Sequence, residues 1–235
     1  MLTPDVLASL HDLGNLLTVI DATTERIRMR RPEDHSCDSL LADLVFATKR
    51  ATEIVWEMKC GARAHADTET MDAVNVVEGL QRSLTTIVGP NVALAVVARV
   101  PNARVVANRR MIEQAIYNLV SNARDAMKSQ GSIDVIIEVL PVRGSDSIGN
   151  ALAAGDFAAI SVRDTGPGFN VASVPKLFEP FFTTKPTGTG LGLRLVADVA
   201  RTHQGGVFVI SEPGHGATFT LVVPLAALDT GSELS

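Results

Sequence analysis

DTGPGF (164–169), LFEPFFTTK (177–185) and GTGLGL (188–193) follow one another within a single short region of the chain. Two glycine clusters bracket a stretch rich in phenylalanine and threonine. Glycine serves where backbone must take positive φ or approach a ligand closely. Two such clusters around Lys185 and several hydroxyls read as a flap that closes over phosphates, which points to a chain that handles nucleotides.

The bulk properties narrow the class. The 235 residues suffice for two small domains or one larger one, and 46% hydrophobic with 20% charged residues is ordinary globular composition. A net charge of −5 supplies no electrostatic reason for a nucleic-acid partner. The longest apolar stretch, Val92 to Val100, is far too short to span a bilayer. MLTPDVLASLHDLG lacks the basic start and apolar core of a signal peptide. Cys37 and Cys60 have no metal-like spacing. The expectation is a cytoplasmic protein with neither nucleic-acid nor membrane partners.

The N-terminal part carries helical periodicity. Val6, Leu10, Leu13, Leu17, Ile20, Thr24 and Ile27 form a 4-3-4-3 seam. Pro32 then stops the helix, since proline cannot continue it and restrains the residue before it. A second seam follows through Cys37, Leu41, Leu44, Thr48, Ala51, Val55 and Met58. Two helices joined by a short turn predict an antiparallel hairpin. Each offers more apolar stripe than the other can cover, so two hairpins are expected to pair as a homodimeric four-helix bundle.

Beyond that hairpin (1–62) the small, polar residues 63–72 read as a linker, then strand and helix signals alternate to residue 226, with 227–235 as a tail. Strands are expected at Val92–Val97, Ile133–Val139, Ala158–Arg163, Val207–Ser211 and Ala217–Val223, and helices at Val74–Ile87, Arg109–Ser129 and Leu191–His203. Residues 143–155 read as a hairpin excursion. The whole chain is therefore expected to be α+β, the hairpin followed by an α/β sandwich with one sheet covered by helices.

Within helix 109–129, Asn118, Asn122 and Asp125 fall at i, i+4 and i+7 and share one face. An amide oxygen on a rigid helix suits Mg²⁺, which keeps several waters and takes phosphate oxygens as well. Alone, such a triplet is more commonly a solvated polar face. Asp164 ends an apolar strand and is followed by Thr165-Gly166-Pro167-Gly168, so its carboxylate can accept from an adenine amino group. Gly188-Thr189-Gly190-Leu191-Gly192 opens a helix whose N-terminal N–H groups favour phosphate, with Lys185 just before it as a point charge. Gly214-His215-Gly216-Ala217-Thr218-Phe219 is a third glycine turn, with Thr218 expected near the adenine.

In this order, NLVSNARDAM (118–127) resembles the N box, DTGPGF the G1 box, LFEPFF with Phe178 the F box, GTGLGL the G2 box and GHGATF the G3 box of histidine kinases. These belong to a larger superfamily of gyrase, Hsp90, histidine kinase and MutL ATP-binding domains. The resemblance spans about residues 72 to 225. It implies a left-handed βαβ, Bergerat-type sandwich that holds ATP and Mg²⁺ under a lid at about 169–189, with Asp164 reading adenine and Asn122 coordinating magnesium. No GxxxxGK[ST] loop is present.

In the superfamily's ATPases a glutamate activates water at the position that Asn118 occupies here, and an amide cannot act as a base. Transfer of the γ-phosphoryl is therefore favoured over hydrolysis. The candidate acceptor is His11 in HDLGNLL (11–17), which resembles the H box of the same family. A lone surface histidine ordinarily has no function; here Asp12 adjoins it and can take its proton, and Asn15 lies one turn on. The resemblance implies autophosphorylation of His11, phosphotransfer to an aspartate on the receiver domain of a separate response regulator, and phosphatase action with Asn15 positioning water. With only ten residues before His11, the expectation is either that the sequence is trimmed from a longer protein or that the signal arrives through a separate sensor protein touching the bundle. One rival is a histidine phosphotransferase relay with a non-catalytic ATP-domain-like half, which should have eroded glycine boxes. Another is a pure ATPase or ATP-gated clamp, which Asn118 and the H box disfavour.

Overall fold

The structure, a computed structural model, describes residues 68–148, 151–179, 182–183 and 192–226, together with Ile20, Leu44, Thr48 and Ala51. The chain divides into two units, Met1–Ala66 with Phe181–Leu191, and Asp67–Pro180 with Gly192–Ser235. In the first, the four described seam positions are helical and the Thr48 hydroxyl donates to Leu44 O at 2.7 Å. His11, Asp12, Asn15 and the hairpin turn lie outside the described residues.

The second unit is built on a five-stranded sheet in the order β2-β4-β5-β7-β6. These strands are β2 (Val92–Ala98), β4 (Gly131–Asp146), β5 (Ala151–Asp164), β6 (Gly206–Ser211) and β7 (Ala217–Pro224). β2 runs parallel to β4 and every other pairing is antiparallel. Helices α1 (Ala73–Gly79), α2 (Gln81–Val88), α3 (Arg109–Ala126) and α5 (Gly192–Thr202) cover one face. A fifth helix, α4, is a single turn, Val174–Leu177. Strand alternation explains the core. Ile133, Val135 and Ile137 of β4, Ile160 and Val162 of β5 and Leu221 of β7 all point to the helices and are at most 1% exposed. Against them α3 presents Ile112, Ile116 and Leu119. Each such side chain contributes about 1.5–3 kcal/mol by leaving water.

Several boundaries differ from the sequence reading, each for a local reason. The helix expected over Val74–Ile87 is two, interrupted at Leu80, whose N–H donates to Val77 O in a tighter turn just after the poor helix former Gly79. Helix α3 ends at Ala126, three residues before the expected Ser129, because Lys128 and Ser129 take left-handed φ of 54° and 60°. Residues 69–72, read as the end of the linker, are strand β1 (Glu69–Asp72), paired antiparallel with β3 (Arg104–Ala107) in a separate two-stranded sheet. The Asp72 carboxylate accepts from Val74 N, capping α1, and from Ala103 N, which ties the two segments together.

The hairpin expected around 143–155 is present, as a regular antiparallel extension of β4 and β5. Their pairing continues from Pro141↔Asp156 to Asp146↔Ala151. Beyond it, Ile148 exchanges both backbone hydrogen bonds with Val207 of β6, at 2.9 and 3.0 Å. Leu152, Phe157, Ala159 and Val222 form a small cluster beneath this arm, flanked by Val142 and Phe208. Leu152→Ala is expected to lower the unfolding free energy by about 2–3 kcal/mol through the cavity it leaves. Chemical denaturation measures this, and nucleotide affinity should stay unchanged because the arm carries none of the candidate site residues.

Candidate functional site

The turn after β5 and the turn between β6 and β7 are locked together by backbone. Gly168, at φ +60°, sits against the carbonyls of Glu212 and Gly216, and Gly216, at φ +78°, sits against the carbonyl of Asp164. A side chain at either position would collide with main chain and meet an unfavourable φ. Gly214 N donates to Pro167 O at 2.7 Å, Phe169 N to Ser211 Oγ at 2.9 Å, and Ser211 Oγ to Gly216 O at 2.9 Å. The rings of Phe169 and Phe219 lie 6.0 Å apart at 42°. The first and third glycine turns are thus one construction.

That construction presents Asp164, 4% exposed, on the helix-covered side of the sheet. Its Oδ1 accepts from Gly166 N at 2.8 Å. Burial disfavours the charged form and raises the carboxyl above its ordinary value of 3.8, with backbone N–H groups of Gly166 and Ala217 opposing the rise. Helix α3 reaches the same corner. Thr165 Oγ1 donates to Met127 Sδ at 3.5 Å and accepts from Ser132 N at 3.0 Å, fastening the Asp164 turn to the end of α3.

Asn118 and Asn122 lie back along α3. The start of α5 meets them there: a Cβ placed on Gly192 would lie 3.5 Å from the Asn122 amide nitrogen and 3.8 Å from Asn118 Oδ1. Backbone at the opening of α5 therefore faces both amides across about a methyl group's width. Asp125 shares their stripe, and its Oδ1 accepts from Arg124 Nε and NH2 at 2.9 and 2.6 Å. The same guanidinium donates to Ile87 O at 3.0 Å, so the ion pair also joins α3 to α2. Neither this arginine nor its link to α2 is legible from a one-face pattern. Phe178 is 7% exposed at the C-cap of α4.

Thr218 is not brought to Asp164. Asp164 pairs with Ala217, and Thr218 pairs with Arg163. Successive side chains alternate faces, so Thr218 and Arg163 occupy the face opposite the buried carboxylate and Ala217 stands beside it. The expectation of Thr218 near the adenine is corrected accordingly; counting residues back from Asp164 in antiparallel register would have found Ala217. Lys185, Gly188, Thr189, Gly190 and Leu191 lie outside the described residues.

The residues present fit a magnesium ion held mainly by phosphates and water. The amides of Asn118 and Asn122 offer hard oxygen ligands on a rigid helix, and among the described residues no cluster of three or more His, Cys, Asp or Glu forms an all-protein cage. A mixed sheet with a buried carboxylate at one corner and an amide pair against a helix start at another defines a class, the ATP-binding domains of the histidine kinase type.

The chain belongs to the family described as histidine kinase-, DNA gyrase B-, and HSP90-like ATPase, which matches residues 107–227. It is 30% identical over 218 residues to the sensor kinase CckA of Brucella abortus, covering 91% of this chain and 23% of that protein. It is 40% identical over 119 residues to the signal transduction histidine-protein kinase AtoS of Escherichia coli, covering 51% and 17%. The chain thus spans less than a quarter of these two curated relatives. Full-length ShkA, solved in complex with AMPPNP, superposes with a TM-score of 0.61 at 22% identity, covering 96% of this chain and 46% of that one. The nucleotide-free catalytic domain of histidine kinase ThkA gives 0.52 at 24%, covering 67% and 95%. At these identities the two structures speak for the fold.

A titration distinguishes the buried carboxylate. Because folding raises the Asp164 pKa, its contribution to stability is fully present below 3.8 and is lost as pH rises through the raised value. Asp164→Asn removes that ionisation. Its stability relative to the parent should therefore be greatest near neutral pH and fall as pH drops toward 3.8, as followed by denaturant unfolding of both proteins; a pH-independent difference would contradict the burial of the charge.

Proposed function

We propose that this chain is the core of a two-component sensor-type histidine kinase, a protein-histidine phosphotransferase that uses ATP. The observation that carries the reading is the joint placement of the buried Asp164 at one end of α3 and of Asn118 and Asn122, facing Gly192, further back along the same helix. A base end and a phosphate end are thereby separated by about 7–14 Å of helix rise, from Met127 to Asn122 and Asn118. Kinship with sensor histidine kinases supports it, as does the AMPPNP complex of ShkA.

In this reading Asp164 accepts from the adenine amino group while Gly166 and Gly168 let backbone pass beside the ring. Asn122 would hold Mg²⁺, with Asn118 and Asp125 beside it; the ion supplies charge neutralisation across the phosphates. The N–H groups opening α5 at Gly192, with Gly188 to Leu191 before them, receive phosphate oxygens, and Lys185 adds a positive charge. Phe178 anchors the segment leading into the lid. Asn118 cannot take a proton from water, so the γ-phosphoryl passes to a neutral ring nitrogen of His11. The N–P bond forms as the bond to the ADP oxygen breaks, and Asp12 accepts the proton on the other ring nitrogen. The phosphoryl group then moves to an aspartate of a response regulator's receiver domain, and Asn15 can position water for the reverse, phosphatase reaction.

We further propose residues 1–62 as the dimerising hairpin, 63–72 as the linker with its end captured in β1, 73–226 as the catalytic domain and 227–235 as a tail. Seam residues Ile20 and Leu44 are 42% and 46% exposed in one protomer, apolar surface that a second hairpin would cover. Use of ATP and of a receiver domain makes the cytoplasm the expected compartment of the reaction. Among the described residues no helix is long and apolar enough to cross a membrane.

His11→Ala should abolish acid-labile labelling from γ-labelled ATP while leaving nucleotide binding intact; label persisting on the variant would mean another acceptor. Asn122→Ala should lose Mg²⁺-dependent ATP affinity by about tenfold or more, as for loss of a supporting metal contact. Isothermal titration with and without Mg²⁺ reads this directly, and an unchanged affinity would remove Asn122 from the metal.

A further inference from the structure

His203 is a buried imidazole that plays no part in the proposed chemistry. It is 6% exposed, immediately after the last residue of α5. Its Nε2 lies 3.0 Å from Asn108 N and its Nδ1 lies 2.7 Å from Val199 O. The backbone N–H of Asn108 must donate, so Nε2 is the acceptor and carries no proton. The ring proton therefore sits on Nδ1 and is donated to Val199 O. One neutral tautomer serves both ends of the ring.

The two backbone groups it joins are the termini of two different helices. Asn108 is the N-cap of α3: its side chain accepts from Met111 N at 3.2 Å, while its own N–H has no place in the helix ladder. Val199 lies in the last turn of α5, where its carbonyl also accepts from the backbone N–H of His203 at 3.2 Å. The imidazole pins the C-terminal end of α5 to the N-terminal end of α3. The helices approach again at their opposite ends, where Gly192 faces Asn118 and Asn122. From Asn108 to Asn118 and Asn122 is about 15–21 Å of helix rise, and from His203 back to Gly192 about 16 Å. Two antiparallel rods of matched length, fixed at one end, have their axial register fixed at the other.

That register governs only one part of the candidate site. Gly192 leaves about a methyl group's width between the start of α5 and the two amides, so sliding α5 along α3 changes how closely its backbone stands to them. Asp164 is held independently, by the interlocked glycine turns and by Thr165 against Met127. We propose that His203 is a positioning residue for phosphate binding: it sets where the start of α5 stands relative to Asn118 and Asn122 and leaves the adenine end untouched. This rests on the reading of the site as one for Mg–ATP.

The test compares ligands that use different parts of the site, on the full chain. His203→Leu removes both hydrogen bonds, His203→Gln keeps an acceptor within reach of Asn108 N, and His203→Asn can keep only the nearer bond to Val199 O. Titration with Mg–ATP should show His203→Leu weakened by about tenfold to a hundredfold, as for loss of an outer partner that orients a ligand site. Adenosine, followed by ligand-observed NMR, should bind it within about twofold of the parent, because the phosphate contacts alone are lost. His203→Gln should recover most of the Mg–ATP affinity and His203→Asn should not. Equal losses for adenosine and Mg–ATP would make His203 merely structural and overturn the proposal, as would an unchanged Mg–ATP affinity. Should His203→Leu not fold, the Gln and Asn variants decide, equal affinities for the two overturning it. A parent protein that binds neither ligand would instead overturn the nucleotide reading itself.

Discussion

The backbone lock between residues 164–169 and 211–217 is the constraint on which the rest depends. Two turns remote in sequence approach so closely that carbonyl oxygens occupy the space where Cβ atoms would be at Gly168 and Gly216. Such contact is possible only between main chains, and it is reinforced by Ser211, which accepts from Phe169 N and donates to Gly216 O. The lock closes one end of β5 against β7 and holds Asp164 in a buried, partly protected setting. A buried carboxylate is unfavourable without partners, and the Gly166 and Ala217 N–H groups that offset its desolvation come from the two locked turns themselves.

Helix α3 is the second organising element. Its inner face contributes to the core through Ile112, Ile116 and Leu119, its end is fastened to the Asp164 turn through Met127, and its polar stripe meets the start of α5. One rigid rod therefore serves packing and the candidate site at once. The Arg124 guanidinium, bound to Asp125 and to Ile87 O, extends this bracing to α2.

Much of this was legible from residues alone, because the strongest signals are local. Strands with clear apolar runs, such as Ile133–Val139 and Ala217–Val223, and the long periodic helix after Arg109 appear where expected. β1 and β3 were not legible: each is four residues long, and their identity comes from pairing with each other and from Asp72 reaching Ala103 N. The true length of β4 and β5 is likewise set by mutual pairing past Pro141. At the site, glycine turns and the asparagine stripe could be named from spacing, whereas the face of each strand residue required a register. Thr218 shows the difference: adjacent in sequence to the residue beside Asp164, it lies on the other side of the sheet. His203 is the converse, an unremarked residue in an apolar helix end whose partner lies ninety-five positions away.

The arm formed by β4 and β5 has a bearing on how this protein keeps to itself. β6 is an edge strand, and open edges invite other chains to add on as further strands. Here Ile148 occupies the ladder positions at Val207, near the start of the edge. The arm thereby shortens the stretch of β6 on which another strand could be templated, and Ile210, 73% exposed, lies in the part that it leaves uncovered.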